Sequence, residues 1–92
     1  MRRNNFSMVY SPSEQIDLII EEGQQWAEQN NVSDALQAAI DSLASGWNYV
    51  QSYMQFEKDL ESDLAWWRTR LSEQDFDDYR FYFVDPILDV LR

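Results

Sequence analysis

The chain has 92 residues, 15% of them aromatic, and its 17 acidic and 7 basic side chains give a net charge of −10. It has no cysteine and no histidine, which excludes disulfides, a thiol nucleophile and Cys/His zinc sites, and removes the commonest general base. The negative electrostatic potential of such a chain repels nucleic acids and anionic membranes but attracts basic protein surfaces. We therefore expect a binding protein with a basic protein partner, no cofactor and no catalytic residues.

The composition also limits the fold. Only two glycines and two prolines occur, too few for a many-stranded β sandwich, while Leu, Ala, Gln and Glu are frequent. The sequence predicts an all-α protein, a compact bundle of three to four helices with a short C-terminal helical turn after Pro86. Residues 1–10 show no clear period and are expected to form a mobile or loosely docked arm. Residues 11–92 are expected to form a single helical domain.

Neither a membrane span nor a secretory signal is visible. No apolar run is longer than four residues, the length of Phe81 to Val84, which is far too short to cross a bilayer. Arg2 and Arg3 are followed by polar residues and not by an apolar stretch. We expect a cytoplasmic protein that does not bind membranes.

The first helix begins at Ser11-Pro12-Ser13-Glu14. Ser11 is a good N-cap, proline fits the first helical position, and Glu14 completes a capping box. Gly23 lies on the apolar face and costs about 1 kcal/mol relative to alanine, so it either admits a close neighbour or is simply tolerated. That face, at 100° per residue, consists of Ile16, Ile19, Ile20, Gly23, Trp26 and Ala27.

Two apolar stripes follow the N-cap at Ser33, and they differ in phase by about 100°. The phase changes near Gly46, which could close one helix while Asn48 caps the next. We expect a break there, the alternative being one long curved helix over 34–71. The first stripe is Leu36, Ala39, Ile40, Leu43 and Trp47, and the second is Tyr49, Tyr53, Phe56, Leu60, Leu64, Trp67 and Leu71.

A further helix is predicted to start at Ser72, with acidic residues in its first turn. Phe76, Tyr79 and Phe83 share one face of it. Because proline disrupts a helix interior, Asp85-Pro86 is expected to be the cap and first position of a final short helix.

The acidic residues of the second half are the candidate partner-binding charges. Carboxylates two residues apart on a helix point in nearly opposite directions, so those of 57–63 flank the apolar stripe and do not converge on a metal. The aspartates of 75–78 lack the glycine and distal glutamate of a calcium loop. The candidates are Glu57, Asp59, Glu61, Asp63, Asp75, Asp77 and Asp78, and the basic residues expected near them are Lys58, Arg68 and Arg70.

Four apolar residues are hard to bury together. Trp66 is next to Trp67, so one of the two must point away from the core, and Phe81 and Tyr82 lie in a run that sweeps around the helix. Met54 also lies off its stripe. Exposed aromatic and methionine side chains are enriched in protein interfaces. Met54, Trp66, Phe81 and Tyr82 are therefore predicted to form a partner or oligomer interface.

Arg68, Arg70 and Arg80 lie close to these aromatic residues in the sequence. We expect them to pair with nearby acids, the alternatives being an anion pocket or cation–π contacts.

These features predict an interaction protein and not an enzyme. The leading hypothesis is an inhibitor whose acidic surface engages a basic, nucleic-acid-binding surface of a partner, as a DNA or RNA mimic of the phage or mobile-element type would. The alternative is a structural adaptor, assembly factor or antitoxin-like subunit that acts through its aromatic surface. A homo-dimer or higher oligomer is expected in either case.

Overall fold

The computed structural model describes residues 10–92, and the arm predicted over 1–10 therefore lies, except for Tyr10, outside the described residues. The helices are α1 (Pro12–Asn30), α2 (Asp34–Tyr49), α3 (Tyr53–Arg68), α4 (Glu73–Tyr79) and α5 (Asp85–Leu91), and a π-helical segment (Arg80–Val84) joins the last two. Because these last three elements follow one another directly, we refer to Glu73–Leu91 as the C-terminal helix. The predicted all-α bundle is confirmed.

Local hydrogen bonds fix three helix starts where the sequence predicts them. Ser11 and Glu14 form the reciprocal capping box, and the pKa of Glu14 is lowered chiefly because its carboxylate accepts from the Ser11 backbone N–H. The hydroxyls of Ser33 and Ser72 cap α2 and α4. Asn31 ends α1 in a left-handed conformation, with φ of 51°.

The break between α2 and α3 is not at Gly46. That glycine lies inside α2, which continues to Tyr49, and the chain becomes extended only at Val50. The next N-cap is Ser52, whose hydroxyl accepts from the Gln55 backbone N–H at 3.1 Å. The predicted position was wrong because Gly46 has an ordinary helical backbone and is exposed, so nothing forces the helix to end there. Ser52-Tyr53-Met54-Gln55 is itself a helix-start pattern.

Pro86 does not restart the chain as a new, capped helix. The backbone is right-handed helical at both Val84 and Asp85, and no side chain caps this point. Instead, the Asp85 N–H donates to the Arg80 carbonyl five residues earlier. Proline has no N–H and its ring crowds the carbonyl four residues before it, which is that of Tyr82. The wider π turn accommodates both constraints, so the helix continues.

One apolar core joins all the helices. Phe76, Tyr79 and Phe83 are buried on one face of the C-terminal helix, as predicted. The Phe83 ring packs against Gly23 of α1 so closely that a Cβ built on the glycine would lie 2.4 Å from Phe83 Cε1. Of the two readings of Gly23, close approach of a neighbour is therefore the one observed. The buried residues are Ile16, Ile20, Ala27, Leu36, Ala39, Ile40, Leu43, Phe56, Leu60, Leu71, Phe76, Tyr79, Phe83, Val84, Ile87 and Leu88.

Candidate protein-binding surfaces

Arg92 bridges the first pair of predicted partner-facing acids. Its Nε donates to Glu57 and its Nη2 to Glu61, each at 2.6 Å. The hydrogen bond to Glu57 is the main reason that the pKa of Arg92 is raised. No local pattern predicts this contact, because Arg92 lies more than thirty residues from both acids. These two carboxylates are therefore partly neutralised within the chain and are weak candidates for binding a partner.

Asp59 and Asp63 lie away from that pair on α3, as helix geometry predicts. Asp59 accepts a hydrogen bond from Gln55 at 2.9 Å. Asp63 is half-buried, and its pKa is raised by burial and, secondarily, by the charge of Asp59. Burial and the charge of Asp63 also raise the pKa of Tyr79, whose buried hydroxyl has no hydrogen-bond partner among residues 10–92. Asp63 thus faces the protein interior more than a partner.

The three candidates on α4 have different surroundings. Asp75 accepts from the Ser33 hydroxyl at 2.7 Å and so links the start of α2 to α4. Asp78 is half-buried and accepts from Gln74 at 3.1 Å. Asp77 is exposed. Of this group, Asp77 is the residue best placed to contact a partner.

A second acidic surface lies on α1 and α2. Neither helix contains a lysine or arginine, and the ion pairs found within residues 10–92 all involve the C-terminal half. A depression of about 380 Å³ between the two helices is lined by Glu21, Glu28 and three glutamines. We call this surface the α1–α2 acidic face. It comprises six exposed carboxylates, those of Glu14, Asp17, Glu21, Glu28, Asp34 and Asp41.

Two of the three arginines stack on aromatic rings, contrary to expectation. Arg70 lies 3.2 Å from the ring centroid of Trp66 and donates to the carbonyl of the same residue. Arg68 lies 5.0 Å from the ring of Phe76. Arg80 contacts a carboxylate, as predicted, at 3.6 Å. The prediction of acid pairing is therefore wrong for Arg68 and Arg70: neither belongs to an ion pair among residues 10–92, and each contacts an aromatic ring instead.

The predicted aromatic interface is exposed at three of its four positions. Met54, Trp66 and Phe81 expose 68%, 54% and 69% of their surface. Tyr82, by contrast, is half-buried, because its ring stacks on Trp26 with ring centroids 4.0 Å apart. The four residues come from different parts of the bundle, and we find two separate apolar surfaces around Met54 and Phe81.

The first of these, the aromatic corner, consists of Trp47, Tyr49, Tyr53 and Met54 at the turn from α2 to α3. The sequence placed both tyrosines on a buried stripe, but Tyr49 is 80% and Tyr53 45% exposed. Since α2 ends at Tyr49, both lie at helix ends, where the stripe leaves the core. The Trp47 indole donates to Asp17 at 2.7 Å, which ties the corner to α1.

The second surface is a groove between α1 and the C-terminal helix, with a volume of about 330 Å³. Phe81 packs edge-on against Tyr82, at a centroid distance of 4.9 Å, and Tyr82 in turn covers Trp26. We call this surface the aromatic groove. Its lining residues are Ile19, Glu22, Gly23, Trp26, Phe81, Tyr82 and Pro86.

Comparisons with protein-family models, with curated protein sequences and with solved structures found no match. In the described part of the chain, no cluster of three or more acidic side chains has an arrangement suited to a metal ion. None of the described helices combines the length and the apolar character needed to cross a bilayer. The acidic face, the aromatic corner and the aromatic groove are the surfaces from which a function can be inferred.

Proposed function

We propose that this protein is a small acidic inhibitor that binds a basic, nucleic-acid-binding surface of a partner protein, acting as a mimic of DNA or RNA. The observation that carries the proposal is the α1–α2 acidic face, where six carboxylates are exposed on two helices without a basic residue. The proposed role is binding and not catalysis. We propose that the protein and its partner meet in the cytoplasm. We infer that the partner-binding charges lie on α1 and α2 more than on α3 and α4, because Arg92 partly neutralises Glu57 and Glu61 of α3.

The arrangement of charges along α1 supports mimicry. Glu14, Asp17, Glu21 and Glu28 recur at spacings of three, four and seven residues, so they lie in one row along the helix. The row spans about 21 Å at 1.5 Å per residue. Carboxylates one turn apart are about 5–6 Å from each other, a regular repeat of negative charge that resembles a phosphate backbone.

A row of exposed acids contributes little to folding, so it serves either binding or solubility. Long-range attraction to a basic groove accelerates association and orients the partner. Two acids of the row, Glu14 and Asp17, also hold the N-cap and the Trp47 indole. Glu21 and Glu28 make no side-chain hydrogen bond or ion pair among the described contacts, so they are the residues to change.

The test is capture of a partner from the organism that encodes the chain, with the tagged protein as bait. We expect a basic nucleic-acid-binding protein that is released at several hundred millimolar salt and displaced by excess duplex DNA or RNA. The double variant Glu21→Lys/Glu28→Lys should lose this capture while keeping its melting temperature.

The matched control is Glu73→Lys/Asp85→Lys on the C-terminal helix. It reverses two exposed acids and gives the same net charge, −10 + 4 = −6. If both variants lose the partner equally, net charge explains the binding and the assignment to the α1–α2 acidic face is wrong. Full capture and inhibition by both variants would make the acids a solubility device.

The second candidate function is a structural adaptor, assembly factor or antitoxin-like subunit. The exposed Tyr49, Met54, Trp66 and Phe81 favour it, because apolar side chains of this size are costly to leave in water. It predicts partner capture that is insensitive to salt. It also predicts a dimer or larger species by light scattering at micromolar concentration. A monomer throughout that range would assign these residues to a different partner.

A further inference from the structure

The aromatic groove combines apolar walls with negative charge. Phe81 projects into solvent at its edge, while the stacked rings of Trp26 and Tyr82 form part of its wall. The charged residue that lines it is Glu22, and no lysine or arginine of residues 10–92 does so. Asp89 is exposed three residues beyond Pro86, on the same side of the C-terminal helix. The chemistry of the aromatic groove therefore suits an apolar side chain that is accompanied by a positive charge.

The backbone at the groove is irregular. Phe81 and Tyr82 both lie in the π-helical segment that precedes Pro86. Single π turns within α-helices occur frequently at functional sites, since they re-aim side chains without ending the helix. Here the segment leaves Phe81 69% exposed while Phe83 and Val84, close by in the same segment, are fully buried.

We propose that the aromatic groove binds a basic amphipathic helix of the partner protein. An apolar residue of that helix would pack against Phe81 and Trp26, and its lysines or arginines would face Glu22 and Asp89. This inference rests on the proposed function, because it identifies which part of a basic partner makes the apolar contact. Helix-in-groove recognition of this kind uses apolar anchors at spacings of three, four and seven residues.

The probe is a synthetic helical peptide of leucine and lysine with leucines at those spacings, about five turns long. Binding is followed by two-dimensional NMR of the isotope-labelled protein. The chain has four tryptophans, and their indole N–H signals report separate places: Trp26 in the groove, Trp47 at the aromatic corner, and Trp66 with Trp67 on α3. We expect the peptide to shift the signals of Trp26 and of the Phe81 and Tyr82 amides.

Phe81→Ser should weaken this binding at least tenfold, and Glu22→Lys should weaken it and reduce its salt dependence. The matched control is Met54→Ser at the aromatic corner, since Met54 is 68% and Phe81 69% exposed. The control should bind within twofold of the wild type. Because both side chains lie mainly in solvent, both variants should fold, which thermal melting verifies.

Several results would overturn the inference. If the peptide shifts the Trp47 signal and its binding is weakened by Met54→Ser, the aromatic corner is the binding site. If a peptide with glutamate in place of lysine binds equally well, charge plays no part in recognition. If the free protein forms a dimer that Phe81→Ser disrupts, a second copy of the chain occupies the groove.

The partner-capture assay separates this inference from the proposed function. If Glu21→Lys/Glu28→Lys abolishes capture and Phe81→Ser leaves it unchanged, the acidic inhibitor stands and the groove assignment fails. If both variants capture the partner at full strength, both proposals fail.

Discussion

Replacing Gly23 by alanine tests the closest contact in the core. The added Cβ would lie 2.4 and 2.5 Å from Cε1 and Cζ of Phe83, far inside van der Waals distance. The Phe83 ring is fully buried and packs against Tyr79, so it has little freedom to move away. The methyl group must therefore separate α1 from the C-terminal helix or force the ring from its preferred rotamer.

Two effects of opposite sign decide the magnitude. Alanine gains about 1 kcal/mol over glycine in a helix interior, whereas overpacking a tight core costs about 1–3 kcal/mol. Two ring atoms are within 2.5 Å, which places the cost at the upper end of that range. We expect a net loss of about 2 kcal/mol in the free energy of unfolding, and a melting temperature roughly 8–16 °C lower.

Gly46→Ala is the matched control, because it is the same substitution in a helix of the same bundle. No atom lies within 4 Å of the Cβ position at Gly46, and its backbone is helical. This variant should gain up to about 1 kcal/mol from helix propensity alone. Thermal and chemical denaturation of both variants give the two signs in one experiment.

The reasoning would be refuted if Gly23→Ala stabilised the protein as Gly46→Ala does. A double-mutant cycle with Phe83→Leu identifies the cause. If the Cβ–ring clash is responsible, Gly23→Ala should cost less in the Phe83→Leu background than in the wild type. Strict additivity would place the strain elsewhere.

Three further substitutions test the buried polar groups and the ion pairs. The pKa of Asp63 is raised in the fold, so its stabilising contribution is complete below the unfolded pKa and is lost as pH rises through the folded pKa. Asp63→Asn should therefore stabilise the protein at neutral pH, by less than about 1 kcal/mol because the group is half in water, with no gain near pH 3 in a pH series of denaturation curves. Tyr79→Phe removes a buried hydroxyl that has no partner among residues 10–92, so chemical denaturation should show unchanged stability or a gain of about 1 kcal/mol. A clear loss would mean that the hydroxyl is hydrogen-bonded in solution. Arg92→Met should lower the melting temperature slightly at low salt and not at about 1 M salt, where its exposed pairs with Glu57 and Glu61 are screened. The same small loss at both salt concentrations would indicate packing and not charge.

Local sequence patterns were enough to predict the class of fold and the starts of α1, α2 and α4. Ser11, Ser33 and Ser72 cap helices as predicted, because a cap depends on atoms only two or three residues apart. The apolar periodicities likewise predicted the buried faces of α1 and the C-terminal helix, since the side chains of a helix have a fixed angular spacing. The same local rules predicted that Met54, Trp66 and Phe81 would be exposed.

The features that depend on residues distant in sequence follow from how the helices pack against one another. Arg92 meets Glu57 and Glu61 only because the C-terminal helix folds back beside α3, which partly neutralises two predicted partner-facing acids. Gly46 and Pro86 are local signals worth about 1 and 3 kcal/mol, and neither ends its helix. Trp47, which follows Gly46, packs against the core, and Ile87 and Leu88, which follow Pro86, are buried in it. This packing outweighs the local signals, because each large apolar side chain contributes about 1.5–3 kcal/mol when fully buried. The packing of helices against one another therefore set where these helices end and which acids are left exposed.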